Sequence, residues 1–386
     1  MLPVLNLIAL ATFAANLSVR ALDPVLPHVS EDLAVSIAQA AGLSAGFAFT
    51  FAIIQPLVGA AADMLGKARM MLICLALLGL GNILGTLATS YPMLMATRIM
   101  CGIGAGGVFP VALGLTSDLI SIDKRQVAIG RVLAGAMIGN ILGASAAGAI
   151  GDLLGWRGVL LMLGALTVVT SAAVYFGLRN GPATKTPTHR VSLAELFAGY
   201  KKLFANPRTR ICYSIVFVEG CCVLGIFPFV AAFLFDLGET RLSIAGVVIA
   251  GFAVGGLFYT FAVSRMLPVL GMRGLMIGGS SLVALQIAFM SVGAAWQIQT
   301  VSFILLGFGF YMLHGTMQVF ASELSEEARA SSLSFHACFF FLGQTVGPIG
   351  YGFGLDHFGK TPTLVGCAVV VVMVGVIGAR LLIKRA

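Results

Sequence analysis

The sequence predicts an all-α integral membrane protein with twelve transmembrane helices, in two six-helix bundles related by a pseudo-two-fold axis along the membrane normal. Three observations predict it. Hydrophobic residues make up 59% of the 386-residue chain and charged residues only 10%, with a mean hydropathy of +1.02. So few charges cannot clothe a water-exposed surface. Twelve apolar stretches fill nearly the whole chain, each near the length of about 20 residues that crosses the hydrocarbon core as a helix. Finally, a set of glycines and acidic residues recurs at a fixed offset between the two halves.

Apolar runs bounded by proline, glycine and charge place the first six spans near residues 4–26, 38–62, 69–89, 92–120, 127–150 and 157–178. The second six fall near 210–235, 243–265, 272–293, 298–323, 331–355 and 362–383. The first run has no basic leader and continues through Arg20 and Asp23 to Pro27, so it is expected to be retained rather than cleaved. The domains are therefore an N-terminal bundle at 1–178, a linker at 179–209 and a C-terminal bundle at 210–386. The linker is the one long polar stretch and carries a short amphipathic segment around Leu193 to Phe204.

Charge sets the expected orientation. Of the 23 lysines and arginines, Arg157, Arg241 and Lys360 fall in one set of loops, Arg20, Arg98 and Arg131 fall within spans, and the rest lie in the other loops and the tail. By the positive-inside rule both termini are cytoplasmic, as for a multi-pass protein of a cell membrane such as the bacterial inner membrane. The formal charge of +8 is scattered over these links, which argues against a nucleic-acid partner. All seven cysteines sit in apolar runs without metal-ligand spacing. No cofactor, metal site or catalytic domain is expected, and an intramembrane enzyme would need an H-E-x-x-H or Ser/His/Asp set that the chain lacks.

The halves repeat. Gly139, Gly143, Gly148, Asp152 and Gly155 recur at an offset of 204 as Gly343, Gly347, Gly352, Asp356 and Gly359. Gly102, Gly104 and Asp118 recur at an offset of 205 as Gly307, Gly309 and Glu323, and Arg125 aligns with Arg329. A parallel repeat of six helices is the architecture of a secondary transporter, with a substrate cavity at the repeat interface near the midplane. The expected partners are a small-molecule substrate, protons and the lipid bilayer, with the chain acting as a monomer.

Ionisable residues inside spans are expensive and mark working sites. Glu219, midway through the seventh span, is the first candidate for proton coupling. Asp23 is the second, with Arg20 three residues away on the same helical face. The alternative for either carboxylate is a structural ion pair or hydrogen-bonded anchor. Arg98 in the fourth span tunes a carboxylate, binds an anion, or pairs structurally with a helix carbonyl. His314 and Gln318 share one face of the tenth span, and Ser332, His336, Phe340 and Gln344 form a stripe on the eleventh. Such stripes are expected to line the cavity together with Asn140, while Phe227, Phe229, Phe310 and Tyr311 supply either an aromatic substrate surface or plain packing.

The link after the second span carries Gly59, Asp63, Gly66, Lys67 and Arg69 in the order G-x-x-x-D-x-x-G-[RK]-x-[RK]. This resembles the signature of the major facilitator superfamily and stands where that family has it. Arg98, Gly102, Gly104 and Gly106 are similar to the family's fourth-helix pattern. Gly135, Gly139 and Gly143 resemble its antiporter signature, with Asn140 replacing the proline and Ala144 the last glycine. The exit of the first span, Asp23 to Pro27 followed by Glu31 to Ser36, looks most like the twelve-span drug:proton antiporters. The resemblance implies proton-coupled efflux of a small amphipathic molecule by alternating access, with a proton-coupled importer of a small organic anion as the rival. A non-transporting sensor is the third class and would tolerate loss of Glu219.

Physically, Gly59 allows close helix contact, and Asp63 can pair with a cation or a helix end. Asp118 and Arg131, with Glu323 and Arg329 as the repeat copy, are expected to complete a charge network with Asp63, Lys67 and Arg69 that closes the inner gate. Residues Gly354 to Thr361 satisfy the P-loop pattern letter by letter, but no strand is expected before them, and ATP binding is rejected.

Overall fold

A computed structural model of the chain describes residues 2–179, 201, 203–324 and 329–382. The expected linker at 179–209 falls largely outside these residues. Without water in the bilayer core, backbone polar groups must be satisfied within each span, which leaves the helix as the means for this apolar chain to cross.

Among the described residues eight helices are long and apolar enough to span a membrane. Two of the eight, Val127–Leu178 and Leu242–Val292, hold 52 and 51 residues, more than twice the length of a crossing. Both fold back at a glycine: Gly155 (φ 67°, ψ −179°) and Gly271 (φ 61°, ψ 175°). That conformation is essentially closed to residues with a Cβ. Gly66 and Gly359 turn two further links at φ 91° and 81°. The four turns are repeat pairs, Gly66 with Gly271 and Gly155 with Gly359, so part of the glycine pattern in the sequence is a pattern of turns. The first span, which begins as Leu2–Leu17, and the eleventh, Arg329–Phe358, complete the twelve.

The first span is not the continuous helix expected at 4–26. Helix Leu2–Leu17 stops, a 3-10 turn follows at Asp23–Val25, and a short helix runs Leu26–Asp32. Pro24 and Pro27 each remove a backbone donor, which breaks the ladder here. The seventh span is interrupted in the same way: Pro207–Glu219, a π-helical turn at Gly220–Leu224, a 3-10 turn at Phe227–Phe229, then Val230–Phe235. Pro24 and Pro228 stand 204 residues apart, the offset found in the fifth and eleventh spans. Both broken helices sit at the interface between the halves.

The remaining glycines of the repeat set packing distance. A methyl at Gly135 or Gly143 would press against the carbonyls of Ala9 and Leu17, so the fifth span lies directly on the first. Gly343 and Gly347 do the same against Phe217 and Cys221, bringing the eleventh onto the seventh. Small residues permit such backbone contact in lipid. Asn140 and Gln344 are repeat counterparts on these two spans.

The halves meet at the midplane, where Phe51 packs on Phe341 at 4.3 Å between ring centroids, and at the end opposite the termini. There Gly352 seats against Ala38, Gly148 and Gly246 against the backbone of Leu242 and Ala144, and His28 stands edge-on to Phe235. Two hydrogen bonds join the halves at the same end: Leu242 and Ser243 donate their backbone N–H groups to the Asp152 carboxylate at 2.7 and 2.9 Å.

Candidate functional site

Between the broken helices lies a cavity of about 220 Å³. Arg20 from the first span, Asn140 from the fifth, and His314, Gln318 and Tyr311 from the tenth supply its polar wall. Phe227, Phe252, Phe310, Phe340 and Phe341 supply an aromatic one. The cavity is sealed by the contacts at the end opposite the termini. Gln318, one turn nearer the termini than His314, is exposed and marks the mouth.

On the first-half side the unwound segment presents Arg20. Its guanidinium lies 4.4 Å from the centroid of Phe227 and donates from Nη1 to Asp23 Oδ2 at 3.4 Å, long for a charge-assisted bond. Asp23 is 1% exposed, and its other oxygen accepts a 2.8 Å bond from the Ser44 hydroxyl. Asp23 thus sits behind Arg20 and is not on the cavity surface. Arg98 lies deeper, stacked on Phe47 at 4.5 Å and 2% exposed, with Nε and Nη1 lacking a hydrogen-bond partner. It is not among the residues that line the cavity, and its guanidinium rests on the Phe47 ring instead. It stands near enough to Asp23 for its charge to act on that carboxylate. Asn140 donates to Asn16 Oδ1 at 3.1 Å, which ties the cavity face of the fifth span to the first.

On the second-half side Glu219 ends the regular helix just before the π turn, its side chain sealed from solvent. His314 Nδ1 lies 3.0 Å from Glu219 Oε2, and Glu219 Oε1 has no partner. His314 itself borders the cavity, stacked on Phe310 at 4.8 Å and packed on Phe340 at 4.5 Å. The pair therefore holds a carboxyl behind an imidazole that meets the cavity, the order needed to pass a proton between them.

The eleventh-span stripe behaves differently from the expectation that all of it lines the cavity. Phe340 does, but Ser332 is turned to Tyr213 and the Ala321 carbonyl, and His336 is buried edge-on behind His314 at 4.9 Å. Gln344 is buried against the seventh span with Oε1 unpartnered. The close seat of the eleventh span on the seventh, set by Gly343 and Gly220, draws these side chains inward. Phe229 packs with Phe233 and Tyr351 outside the cavity. Sequence reasoning did not pick out Ser44, Asn16, Phe252 or Phe341. Asn16 was legible as a polar residue four positions before Arg20, but nothing in the sequence marked the other three among similar residues.

The pattern for the Major Facilitator Superfamily matches residues 8–348. The chain belongs to this superfamily. It is a multi-pass membrane transporter and not an enzyme. Among relatives, the chloramphenicol resistance protein of Streptomyces lividans is 26% identical over 275 residues, 69% of each chain. Multidrug resistance protein 1 of Bacillus subtilis (strain 168) is 23% identical over 371 residues, 93% of each. Among solved structures, the nucleoside transporter NupG superposes with a TM-score of 0.80 at 14% identity, over 99% of this chain and 100% of that one. A D-xylose-proton symporter superposes at 0.76 and 15% identity, over 99% and 97%. These two likenesses establish the fold.

In this facilitator chain the signature residues cluster at the end that carries the termini. Lys67 Nζ donates to Asp118 Oδ2 at 2.7 Å, joining the start of the third span to the end of the fourth. Gly66 makes the turn before it, and Gly59 lies in the second-span helix. Arg69 is exposed, and Arg131 and Glu323 are exposed without an ion pair among the described residues. The side chains of Asp63 and Arg329 lie outside the described residues. Arg125 donates to the Ser117 carbonyl at 2.7 Å, bracing the following link.

Proposed function

We propose that the chain is a proton-coupled exporter that exchanges protons for a small amphipathic molecule by alternating access. The observation that carries this reading is the buried Glu219–His314 pair, 3.0 Å apart, set directly behind an aromatic cavity between the halves. A carboxyl and an imidazole in contact hold one proton or two, and the unpaired Oε1 leaves room for the second. A substrate seated against His314 changes its access to water, so loading of the substrate and loading of the proton compete. The drug-resistance names of the relatives agree with export. With both termini cytoplasmic, the cavity opens to the cytoplasm, and substrate is captured there.

A second reading, proton-coupled import of a small organic anion, is favoured by Arg20 as the charged group on the cavity wall. The experiment is a pH-dye assay on purified protein in acid-loaded liposomes. Export by exchange is supported when an added substrate releases protons and Glu219→Gln abolishes the release with substrate binding retained. Co-movement of substrate and protons gives the second reading. Unchanged coupling in Glu219→Gln removes Glu219 from the mechanism.

A further inference from the structure

Both carboxylates of the central region are turned away from the cavity. Asp23 is 1% exposed behind Arg20, and the Glu219 side chain is fully enclosed behind His314. The formal charge that reaches the cavity surface is the guanidinium of Arg20. Among the described residues Arg20 makes one hydrogen bond, the long one to Asp23, from a group that carries five N–H donors.

The charges behind it do not balance. Two buried arginines, Arg20 and Arg98, face one carboxylate, Asp23. Arg98 carries two buried nitrogens with no acceptor. Asp23 has a Ser44 hydroxyl bond and the nearby charge of Arg98 to keep it satisfied when Arg20 turns elsewhere. A buried site with one cation in excess is costly until an anion enters. The rest of the polar wall can donate as well: the amides of Asn140 and Gln318 and the hydroxyl of Tyr311. The opposite wall is aromatic, with Phe227 already beneath the guanidinium at 4.4 Å. At about 220 Å³, the space is smaller than the roughly 300–1,000 Å³ of drug-sized pockets, so it suits a single ring and not a polycyclic drug.

We propose that the cavity takes a small aromatic monoanion, its carboxylate on Arg20 and its ring among Phe227, Phe310 and Phe340. The proposal rests on the reading of this cavity as the transport site, whichever way the substrate moves. It excludes the lipophilic cations, since no carboxylate among the described residues meets the cavity. Export of an anion in exchange for a proton also moves charge in the sense that an inside-negative membrane potential drives.

Three matched single-ring probes test it: benzoate, benzamide and benzylammonium, titrated calorimetrically into the detergent-purified full chain. Benzoate binds, benzamide binds at least 10-fold more weakly and benzylammonium weakest, with Arg20→Gln reducing benzoate affinity by about 10- to 100-fold, the weight of a charge-assisted hydrogen bond. Arg20→Lys, which keeps the charge, retains the order of the three probes. Benzylammonium binding as tightly as benzoate, or binding of none of the three, overturns the proposal, and the probe order on the unaltered protein decides this even if Arg20→Gln does not fold. The outcome is separable from proton coupling. Selective benzoate binding without proton movement defeats the exchange mechanism alone, and cation-driven proton release without benzoate binding defeats the anion site alone.

Discussion

Removing the Asp152 carboxylate should open the end of the molecule opposite the termini. Asp152, on the fifth span, accepts the backbone N–H groups of Leu242 and Ser243 at 2.7 and 2.9 Å, and so caps the start of the eighth span from the other half. Among the described residues its repeat counterpart makes no such contact: Asp356 is exposed, and Ser36 caps its own helix by accepting from the Gln39 N–H at 3.1 Å. Charged bonds of this kind reach about 1.5–3 kcal/mol when sheltered. Asp152 is exposed, so the value of a lost helix cap, about 1–2 kcal/mol, is the better guide. The bonds cross between halves and exist only while this end is closed, so their whole loss falls on the conformational equilibrium. Asp152→Ala then shifts the ratio of open to closed forms by about 5- to 30-fold. Spin labels at Leu154 and Leu237, exposed residues of the two halves at this end, report the change by pulsed electron–electron distance measurement, with the partly exposed Cys221 and Cys367 replaced by Ala. The longer-distance population should grow in Asp152→Ala. A distance distribution identical to that of the parent would refute the latch.

Two further outcomes follow from the turns and the surface. Gly155→Ala places a Cβ at φ 67° and ψ −179°, at a cost of about 1–3 kcal/mol; thermal unfolding in detergent should show a clear drop in Tm, whereas Gly350→Ala, in a helix with open space around it, should leave Tm nearly unchanged. Arg157 donates to Asp32, and that bond holds the Asp32 carboxyl below its ordinary range. A lowered folded-state pKa contributes stability above the unfolded carboxylate range, near pH 4, and the contribution is lost as pH falls through the lowered value. The pair is about half exposed, so the contribution is at most about 1 kcal/mol. Asp32→Asn should therefore remove a small acid-side loss of Tm in melts taken between pH 5 and pH 3, and an unaltered acid limb would count against the pair.

The sequence by itself determined the solvent, the number of spans and the repeat. Those follow from hydropathy, from the length of a helix that crosses lipid, and from glycines whose spacing is preserved because backbones touch or turn there. It also supplied Glu219, His314, Arg20 and Asp23, since an ionisable residue in an apolar run stands out against its neighbours. Only the tertiary structure decided which of these meet. Glu219 and His314 are 95 residues apart and become a pair because the seventh and tenth spans pack side by side. The inward turn of His336 and Gln344, the withdrawal of Arg98 onto Phe47 and the sheltering of Asp23 by Arg20 all depend on the rotation of one helix against another. Periodicity along a single helix places residues on one face but not that face in space. The breaks in the first and seventh spans were likewise written only faintly, in Pro24 and Pro228, because a proline in a membrane helix kinks it, ends it or passes unnoticed according to what the neighbouring helices offer the freed backbone.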